Sequence, residues 1–432
     1  MPQLVPSGRQ YEQKEFKVGL APSAVWHTPV SVNAGRLDFC EAVNLPIVGP
    51  ARIPDPGIGR QFGQYNPPLG KIECAGDLVF TAATYGQIDY LFAAAFGDDQ
   101  VTGTGPYVHS LTPWPTVWGH MFTVAYQFRG YDSVEFPSVK VQNWELTAAP
   151  GEVAKVKFDC MADFASVDIT GTLTSTAYAA NQVTVGGAGW VVDQFKGLSV
   201  VIEEVVGTSD PGTSRLITGN TSDTITYSGT DLSAAANFDF HVGGLNAGGD
   251  GGTFESMAGD DYVDRLHFDD LLVMLGPDGA PLTNDHCMNV GEIKINFERP
   301  MTGDFKSTCS DANAIQKHAI FQPRDTGITK LTAEITWPNY DEQTKYAVSK
   351  WLSTSPQSVR LEFLFNSPLG GVWHLSMPGA FISGNPIQLP LTGGMPATIM
   401  FEATYGPDDI SLPGLDITNN TAGALFTGPG AV

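Results

Sequence analysis

The stretch Asp77–Gly97, DLVFTAATYGQIDYLFAAAFG, predicts a strand, a tight turn and a short helix. Leu78, Phe80 and Ala82 alternate with their neighbours, as side chains do in a half-buried strand. Gly97 follows the helical pattern, where a left-handed C-cap residue belongs. The apolar residues with the spacing of one helical face are Ile88, Leu91, Phe92, Ala95 and Phe96.

A similar pattern returns at Thr329–Leu352, TKLTAEITWPNYDEQTKYAVSKWL. Leu331 and Ile335 belong to an alternating run, and Asn339 can cap a helix with Glu342 as its capping-box partner. The residues predicted to form the buried stripe of this second helix are Ala347, Val348, Trp351 and Leu352.

The order of elements around the two helices also matches. A strand ends before Pro46 and another before Pro300, and these prolines are as far apart as Tyr85 and Asn339 before the helices. The strands that follow the two helices are Phe122–Phe128 and Val359–Phe365, and the closing strands are Ala154–Phe164 and Ala397–Tyr405. We therefore predict an internal duplication of one β-rich unit.

The predicted fold class is mainly β (α+β), a duplicated β-rich unit with one helix in each copy. Between the copies, few residues are charged and Thr, Ser, Gly and Val dominate, which predicts a small inserted β-domain. The predicted segments are an N-terminal arm (1–35), the first copy (36–165), the insert (166–245), the second copy (246–405) and a C-terminal tail (406–432).

The large excess of acidic residues restricts the kinds of molecule that the protein can bind tightly. The 432 residues carry a formal net charge of −23, which argues against tight nucleic-acid binding because phosphate contacts need clustered Lys and Arg. It is compatible with a surface past which nucleic acid slides, because like charges repel. No segment has the length of a membrane helix and the first residues lack an apolar signal core, so we expect no membrane insertion.

The sequence contains no motif for catalysis, and we expect no enzyme, no cofactor and no metal site. It has no GxSxG, P-loop or HExxH motif. His267 with Asp269 and Asp270 is the best local metal-like group, but alternation in a strand would place these side chains on different faces. The odd number of cysteines, five without a CxxC pair, predicts reduced thiols.

Two long loops, Pro46–Gly70 and Met301–Pro323, occupy matching positions in the two copies. Both are too apolar for solvated tails, so we interpret them as docking arms for another subunit. The alternative is that each loop folds back on its own domain. The candidate contact residues are Arg52, Ile53, Ile58, Arg60, Phe62 and Tyr65 in the first loop and Phe305, Lys306, Ile315, Ile320 and Phe321 in the second.

The chain resembles the tail tube proteins of long-tailed bacteriophages with non-contractile tails. The segments that carry the resemblance are GDLVFTAATYGQIDYLFAAAFG, FTVAYQF, SVKVQNWELTAAPGEVAKVKFD, EITWPNYDEQTKYAVSKWL and PATIMFEATY. The resemblance implies a duplicated β-sandwich or barrel unit with one flanking helix in each copy, in subunits that form stacked rings around a channel. It also implies passage of the tape-measure protein and then of DNA, and contacts with the tail terminator and the distal tail or baseplate proteins. The implied location is the virion tail, after assembly in the cytoplasm of the host bacterium.

Rings in this family commonly contain six tube domains, so a chain with two copies would fill a ring as a trimer with pseudo-sixfold symmetry. The alternative is a hexamer with the second copy mostly outside the barrel. The competing function is that of another virion β-protein, either a decoration protein or a baseplate or fibre adhesin.

Deletion of Ile53–Phe62 tests the interpretation of the first loop. We expect soluble, folded subunits that no longer polymerise, because a docking arm is lost while the domain core is kept. Electron microscopy and circular dichroism provide the measurement. Tubes of normal length from the deleted protein would contradict the interpretation.

Overall fold

The structure is a computed structural model that describes residues 16–23, 25–30, 32, 40–48, 71–84, 88–114, 120–128, 132–170, 173–204, 214–229, 238–244, 264–303, 319–338, 342–353, 357–367, 370–383, 397–404, 412–419 and 425. These residues form a mainly β fold of antiparallel sheets with two α-helices, as the sequence predicts. No helix in these ranges is long and apolar enough to cross a bilayer.

The elements of the first half are β1 (Phe16–Ser23), β2 (Cys40–Val43), β3 (Cys74–Thr81), β4 (Ala83–Thr84), α1 (Ile88–Phe96), β5 (Gly97–Thr102), β6 (Tyr107–Pro113), β7 (Met121–Phe128), β8 (Asp132–Ala148) and β9 (Lys155–Ala162). Next come β10 (Leu173–Thr174), β11 (Ala177–Ala179), β12 (Gln182–Thr184), β13 (Ser199–Glu204), β14 (Ser214–Asn220), β15 (Thr224–Tyr227) and β16 (Asp239–Val242). The elements of the second half are β17 (Asp264–Arg265), β18 (Leu271–Pro277), β19 (Glu292–Glu298), β20 (Met301–Thr302), β21 (Arg324–Asp325), β22 (Lys330–Trp337), α2 (Glu342–Trp351), β23 (Val359–Asn366), β24 (Val372–Ser383), β25 (Ala397–Thr404) and β26 (Gly414–Asn419).

The second half repeats the strand pairing of the first. In the first half the paired order is β2-β3-β9-β8-β7-β1, and in the second it is β19-β22-β25-β24-β23-β18. The helix follows the second strand of each order along the chain, α1 after β3 and α2 after β22. An internal duplication predicts this identity of strand order, which goes well beyond the similarity visible in the sequence.

The strands β10–β16 form a separate seven-stranded sheet in the order β10-β16-β13-β14-β15-β12-β11. Its strands lie between those of the two halves in the chain. Where this sheet ends, Gly243 has a φ of 103°, and a Cβ atom there would lie 1.8 Å from the carbonyl oxygen of Val167. A side chain at this position would therefore force apart two backbone segments that cross closely.

Helix α1 differs from the expected flanking helix, because it is enclosed. Every residue of the helix except Tyr90 is buried. The hairpin β5–β6 folds back from its C-terminal end, and β6 pairs with β26 of the second half. The residues predicted for one helical face all lie in α1, and Gly97, the predicted C-cap, follows its last residue with a φ of 95°. The apolar sequence IDYLFAAAF leaves no polar face for solvent, which explains why the chain covers it.

Helix α2 keeps one face towards solvent. Ala347 and Val348 are buried as predicted, whereas Glu342 and Lys345 are exposed. The prediction for Leu352 is wrong, since its side chain is 67% exposed. Leu352 lies after the last helical residue, Trp351, so it is not held on the buried stripe.

An aromatic cluster around α1 packs against both halves. The ring of Phe92 makes edge contacts with Trp144 of β8, Phe158 of β9 and Trp373 of β24, each with centroids 5.1 Å apart. The ring centroids of Phe96 and of Phe297 in β19 are 4.8 Å apart. The core common to the two halves therefore depends on a single helix from the first.

Replacement of Phe92 tests this dependence. We expect Phe92→Ala to lower the free energy of unfolding by about 3–5 kcal/mol, because it removes three ring contacts and leaves a cavity. Leu352→Ala is the control, and its effect should stay within about 0.5 kcal/mol because this side chain faces solvent. Urea unfolding followed by tryptophan fluorescence measures both. Equal effects of the two substitutions would show that Phe92 does not hold the halves together.

Candidate assembly surface

The two halves join edge to edge through the long strand β8. Its first part pairs with β7, from Phe128↔Asp132 to Phe122↔Val139. Its second part, Asn143–Ala148, pairs on the same edge with Ile293–Glu298 of β19. A register shift between Val141 and Asn143 against β9 marks the change of partner, as expected of a bulge that bends the strand.

The counterpart of β19 in the first half is β2, and it ends the sheet. β19 pairs with β22 on one side and β8 on the other, whereas β2 pairs only with β3 among the described residues. The backbone N–H of Asn44 donates to the carbonyl oxygen of Asp77 (2.8 Å). N–H groups alternate between the edges of an antiparallel strand, so the N–H of Val43 faces away from β3. Within the described ranges, the outer edge of β2 is therefore unpaired, and such an edge can receive another strand.

The counterpart of β8 in the second half, β24, has a complementary open position. Its pairing with β23 ends at Ala380, while Phe381–Ser383 continue to pair with β25 on the other side. Among the described residues no strand pairs with β24 beyond Ala380 on the β23 side. Phe381–Ser383 match the three residues of β8 just before Asn143, where the pairing with β19 begins. Among the described residues, the chain therefore presents an unpaired edge of β2 at one end of the repeat and an unpaired edge of Phe381–Ser383 at the other.

The sheet between these two edges has one buried face and one polar face. The buried face carries the aromatic core, as in an antiparallel sheet that packs on one side only. Charged side chains on the polar side form ion pairs, either within one strand or between strands. These pairs are Lys155–Glu41 (3.0 Å), Lys157–Asp159 (2.9 Å) and Lys294–Glu145 (2.8 Å). The partners are substantially exposed, so the pairs stabilise the fold little and mainly leave a hydrated surface.

The polar face is acidic. Its further carboxylates are Asp77, which is opposite Asp159, and Glu298, Glu334 and Glu402 on the strands of the second half. The hydrogen bond from Thr81 is the main reason that the pKa of Glu41 lies below its usual value, and the bond from Lys155 lowers it further. This carboxylate therefore stays ionised next to the open edge at neutral pH.

A second set of polar groups connects α1 to the C-terminal strand β26. Asn419 donates from Nδ2 to Asp89 Oδ2 (3.1 Å), and its Oδ1 lies 3.1 Å from His109 Nε2. The other ring nitrogen of His109 lies 3.2 Å from Asp99, and the backbone N–H of Leu425 donates to that carboxylate (2.6 Å). Asp89 is buried, and desolvation raises its pKa to about 7. These hydrogen bonds hold β26 and Leu425 against the enclosed helix α1.

The predicted contact residues fall into two groups. Two of them, Ile320 and Phe321, are described, and Ile320 is buried against Met161 of β9 and Met301 of β20. Phe321 is half-buried. In this part of the second loop, the chain packs on its own first half. The others lie outside the described residues: Arg52, Ile53, Ile58, Arg60, Phe62, Tyr65, Phe305, Lys306 and Ile315.

The described residues contain no group of three or more His, Cys, Asp or Glu side chains placed to hold a metal ion. In the metal-like group noted above, the backbone N–H of His267 donates to the Asp270 carboxylate (3.2 Å), so this carboxylate holds a turn. Burial raises the pKa of Cys40 to about 12, of Cys74 to about 11, and that of Cys160 as well. These thiols are therefore protonated at neutral pH, which makes them poor nucleophiles.

Sequence reasoning did not identify the edge residues or Asp89. The signal for Asp89 is a single carboxylate within an otherwise apolar helix, which requires a buried partner. The openness of β2 and β24 has no local signal, because it depends on which strands pair. No protein-family model matches the chain, and a search of curated proteins finds no match either.

The raised pKa of Asp89 predicts a pH dependence of stability. The folded chain binds a proton at Asp89 up to about pH 7, whereas the unfolded chain loses it near pH 4. This contribution to stability is therefore complete below about pH 4 and is lost as pH rises to about 7. Asp89→Asn keeps an acceptor for Asn419 without the charge.

We expect the stability of Asp89→Asn relative to the native chain to rise with pH, by up to about 1.4 kcal/mol per unit, and to level off above about pH 7. Urea unfolding at pH 5, 6, 7 and 8 measures this difference. The exposed Asp285, replaced by Asn, is the control and should show no such trend. A constant difference for Asp89→Asn would mean that this carboxylate is ionised in the folded chain throughout.

Proposed function

We propose that the protein is the major tail tube subunit of a long-tailed bacteriophage with a non-contractile tail. Its chains would polymerise as stacked rings around a channel that carries the tape-measure protein during assembly and DNA during ejection. The observation that supports this most directly is that, among the described residues, β2 and the end of β24 each have an unpaired edge, at opposite ends of the strand order β2-β3-β9-β8-β19-β22-β25-β24. The sequence resemblance suggests an assembly of stacked rings. The unpaired edges of β2 and β24 offer a means by which copies of the chain could associate.

The strand pairing between chains would follow the pairing of β8 with β19 inside one chain. β8 pairs with β19 within one chain, so β24 would pair with the β2 of the next chain in the corresponding way. Such a contact joins two different surfaces, and a series of them closes into a ring if the rotation is suitable. Three chains would supply six repeats, which gives the trimeric ring with pseudo-sixfold symmetry. A hexamer is the alternative arrangement.

The polar face fits the wall of a channel. Ring closure would make the sheets of successive repeats continuous, with the aromatic core and α1 on the outside of that wall. The acidic polar face, which includes Glu145, Asp159 and Glu334, would then line the lumen. Fixed negative charge repels the DNA phosphates, so DNA would pass without sticking. The remaining partners would be the tail terminator and the distal tail or baseplate proteins, and the location the virion tail.

Electron microscopy of the purified chain, with end-on classes averaged, tests the ring. We expect stacked rings with a central hole, six inner lobes and threefold outer features. Sixfold outer features would instead support the hexamer. Chains that remain monomeric at all concentrations and salt conditions would favour a decoration protein or an adhesin.

A proline at the open edge tests the contact itself. Val43→Pro removes an N–H that faces away from β3, so the subunit should fold normally while ring formation is lost. The matched control is Val101→Pro in β5, the strand at the other end of the sheet path. Since Trp114 donates to the carbonyl oxygen of Phe96, the N–H of Val101 faces away from β6 in the same way. Rings from Val43→Pro, or their loss in Val101→Pro, would contradict pairing through β2.

A further inference from the structure

The polar face of the sheet carries a small apolar spot in its second half. Phe381 of β24 is opposite Glu402 of β25, and Met400 of β25 is opposite Ser383. Residues two apart on a strand share a face, so Phe381 and Met400 are diagonal neighbours on the polar side. Phe381 is 36% exposed and Met400 is 44% exposed. We call these two residues the apolar spot.

The strand registers identify the position that matches Met400 in the first half. Ala162 of β9 and Ala403 of β25 are equivalent, because each is opposite the residue that β8 or β24 pairs with the start of β7 or β23. Asp159 and Met400 each lie three residues before this alanine. Asp159 therefore has the place of Met400 in the repeat.

The first half has charged groups where the second has the apolar spot. Lys157 Nζ lies 2.9 Å from the carboxylate of Asp159 and 3.6 Å from that of Asp77, which is opposite Asp159. Lys140, which matches Phe381 in the register, is only 1% exposed. Among the described residues of β3, β8 and β9, no large apolar side chain is as exposed as Phe381. Within these strands, each chain therefore has one such spot rather than two.

Acidic residues flank the apolar spot. Glu334 is opposite Met400 on the side of β22, and Glu402 is opposite Phe381. Both carboxylates are partly exposed. A partner that fits this surface places an apolar side chain on the spot and Lys or Arg beside it. Duplex DNA offers neither, because its outer surface carries phosphates.

The spot lies on the face of a sheet, which restricts the partner further. Such a face offers side chains but no backbone hydrogen-bonding groups, because these pair within the sheet. A segment that lies on it must satisfy its own backbone groups, as an α-helix does. An amphipathic helix also presents its apolar residues as one stripe along its length. It can therefore meet the same spot in one ring after another.

We propose that the apolar spot holds an amphipathic helix of the protein that occupies the channel, one helix for each chain of a ring, with Lys or Arg beside its apolar stripe. The inference rests on the proposed function, in which the polar face lines a channel of stacked rings. A trimeric ring then has three such contacts rather than six. Two exposed side chains make a weak contact, but successive rings add many of them along one helix. A weak individual contact also allows the occupant to leave.

Binding of two designed peptides to rings of the full-length chain tests the spot. One peptide is an amphipathic helix with a leucine stripe flanked by lysines, short enough to contact a single chain. The other has glutamine in place of leucine and the same charge. Fluorescence anisotropy of the labelled peptides measures affinity and stoichiometry. We expect the leucine peptide to bind about tenfold more tightly, with one peptide per chain.

Met400→Asp separates apolar contact from charge attraction, because the two effects have opposite signs. The substitution introduces the residue that the first half has at this position, and it should weaken binding of the leucine peptide about tenfold. Charge attraction alone would strengthen the binding of a lysine-rich peptide. Asn296→Asp is the matched control, because it adds the same charge to the same face outside the spot and should not weaken binding.

Oxidation of methionines by hydrogen peroxide shows whether another copy of the chain covers the spot. Mass spectrometry should find Met400 oxidised in empty rings and protected by the leucine peptide, whereas the buried Met377 stays unreacted in both. Protection of Met400 in empty rings would mean that a neighbouring chain covers it, and would overturn the inference.

The outcomes separate the spot from the ring. Rings that bind both peptides equally, or that bind the leucine peptide more tightly after Met400→Asp, would overturn the helix contact and leave the proposed function intact. Chains that form no rings would overturn both.

Discussion

The packing of Phe92 between the two halves is the contact on which the rest of the structure depends. Its ring touches Trp144 and Phe158 of the first half and Trp373 of the second, so both halves share one core. Edge contacts between aromatic rings add to the free energy of burying their large apolar area. Because α1 is enclosed, the hairpin β5–β6 must leave its own half and pair with β26. The buried Asp89 then stabilises this arrangement through Asn419.

The shared core supports a sheet in which, among the described residues, β2 and the end of β24 each have an unpaired edge. Hydrogen bonding between β8 and β19 joins the sheet of the first half to that of the second. Among the described residues, the counterparts of these two strands, β24 and β2, have no such partner. The remaining edge of β2 and the end of β24 are costly for an isolated protein, because unpaired strand edges invite association. Natural sheets usually block such edges with bulges, prolines or charges. In the proposed ring, association between copies would pair the two edges instead.

Local patterns predicted the elements well. Leu78, Phe80 and Ala82 are all buried, and α1 begins at Ile88 and ends at Phe96, because alternation, helical spacing and a C-cap glycine depend on neighbouring residues only. The enclosure of α1 was not predicted, since it requires the hairpin to pair with a strand about 300 residues away. The unpaired edges were missed for the same reason. They are defined by pairing order, which the sequence reveals only through the duplication.

Joining two repeats in one chain allows them to diverge, as identical subunits cannot. In a ring of identical single repeats, equivalent positions of every repeat must serve the same contact. Here Lys140 of β8 is buried and donates to the carbonyl oxygen of Pro323 in the second half, a contact that forms within one chain. Phe381 of β24 has the equivalent place in the strand register, and its side chain is 36% exposed. The two repeats therefore differ at equivalent positions in both charge and burial, which a ring of identical subunits could not achieve.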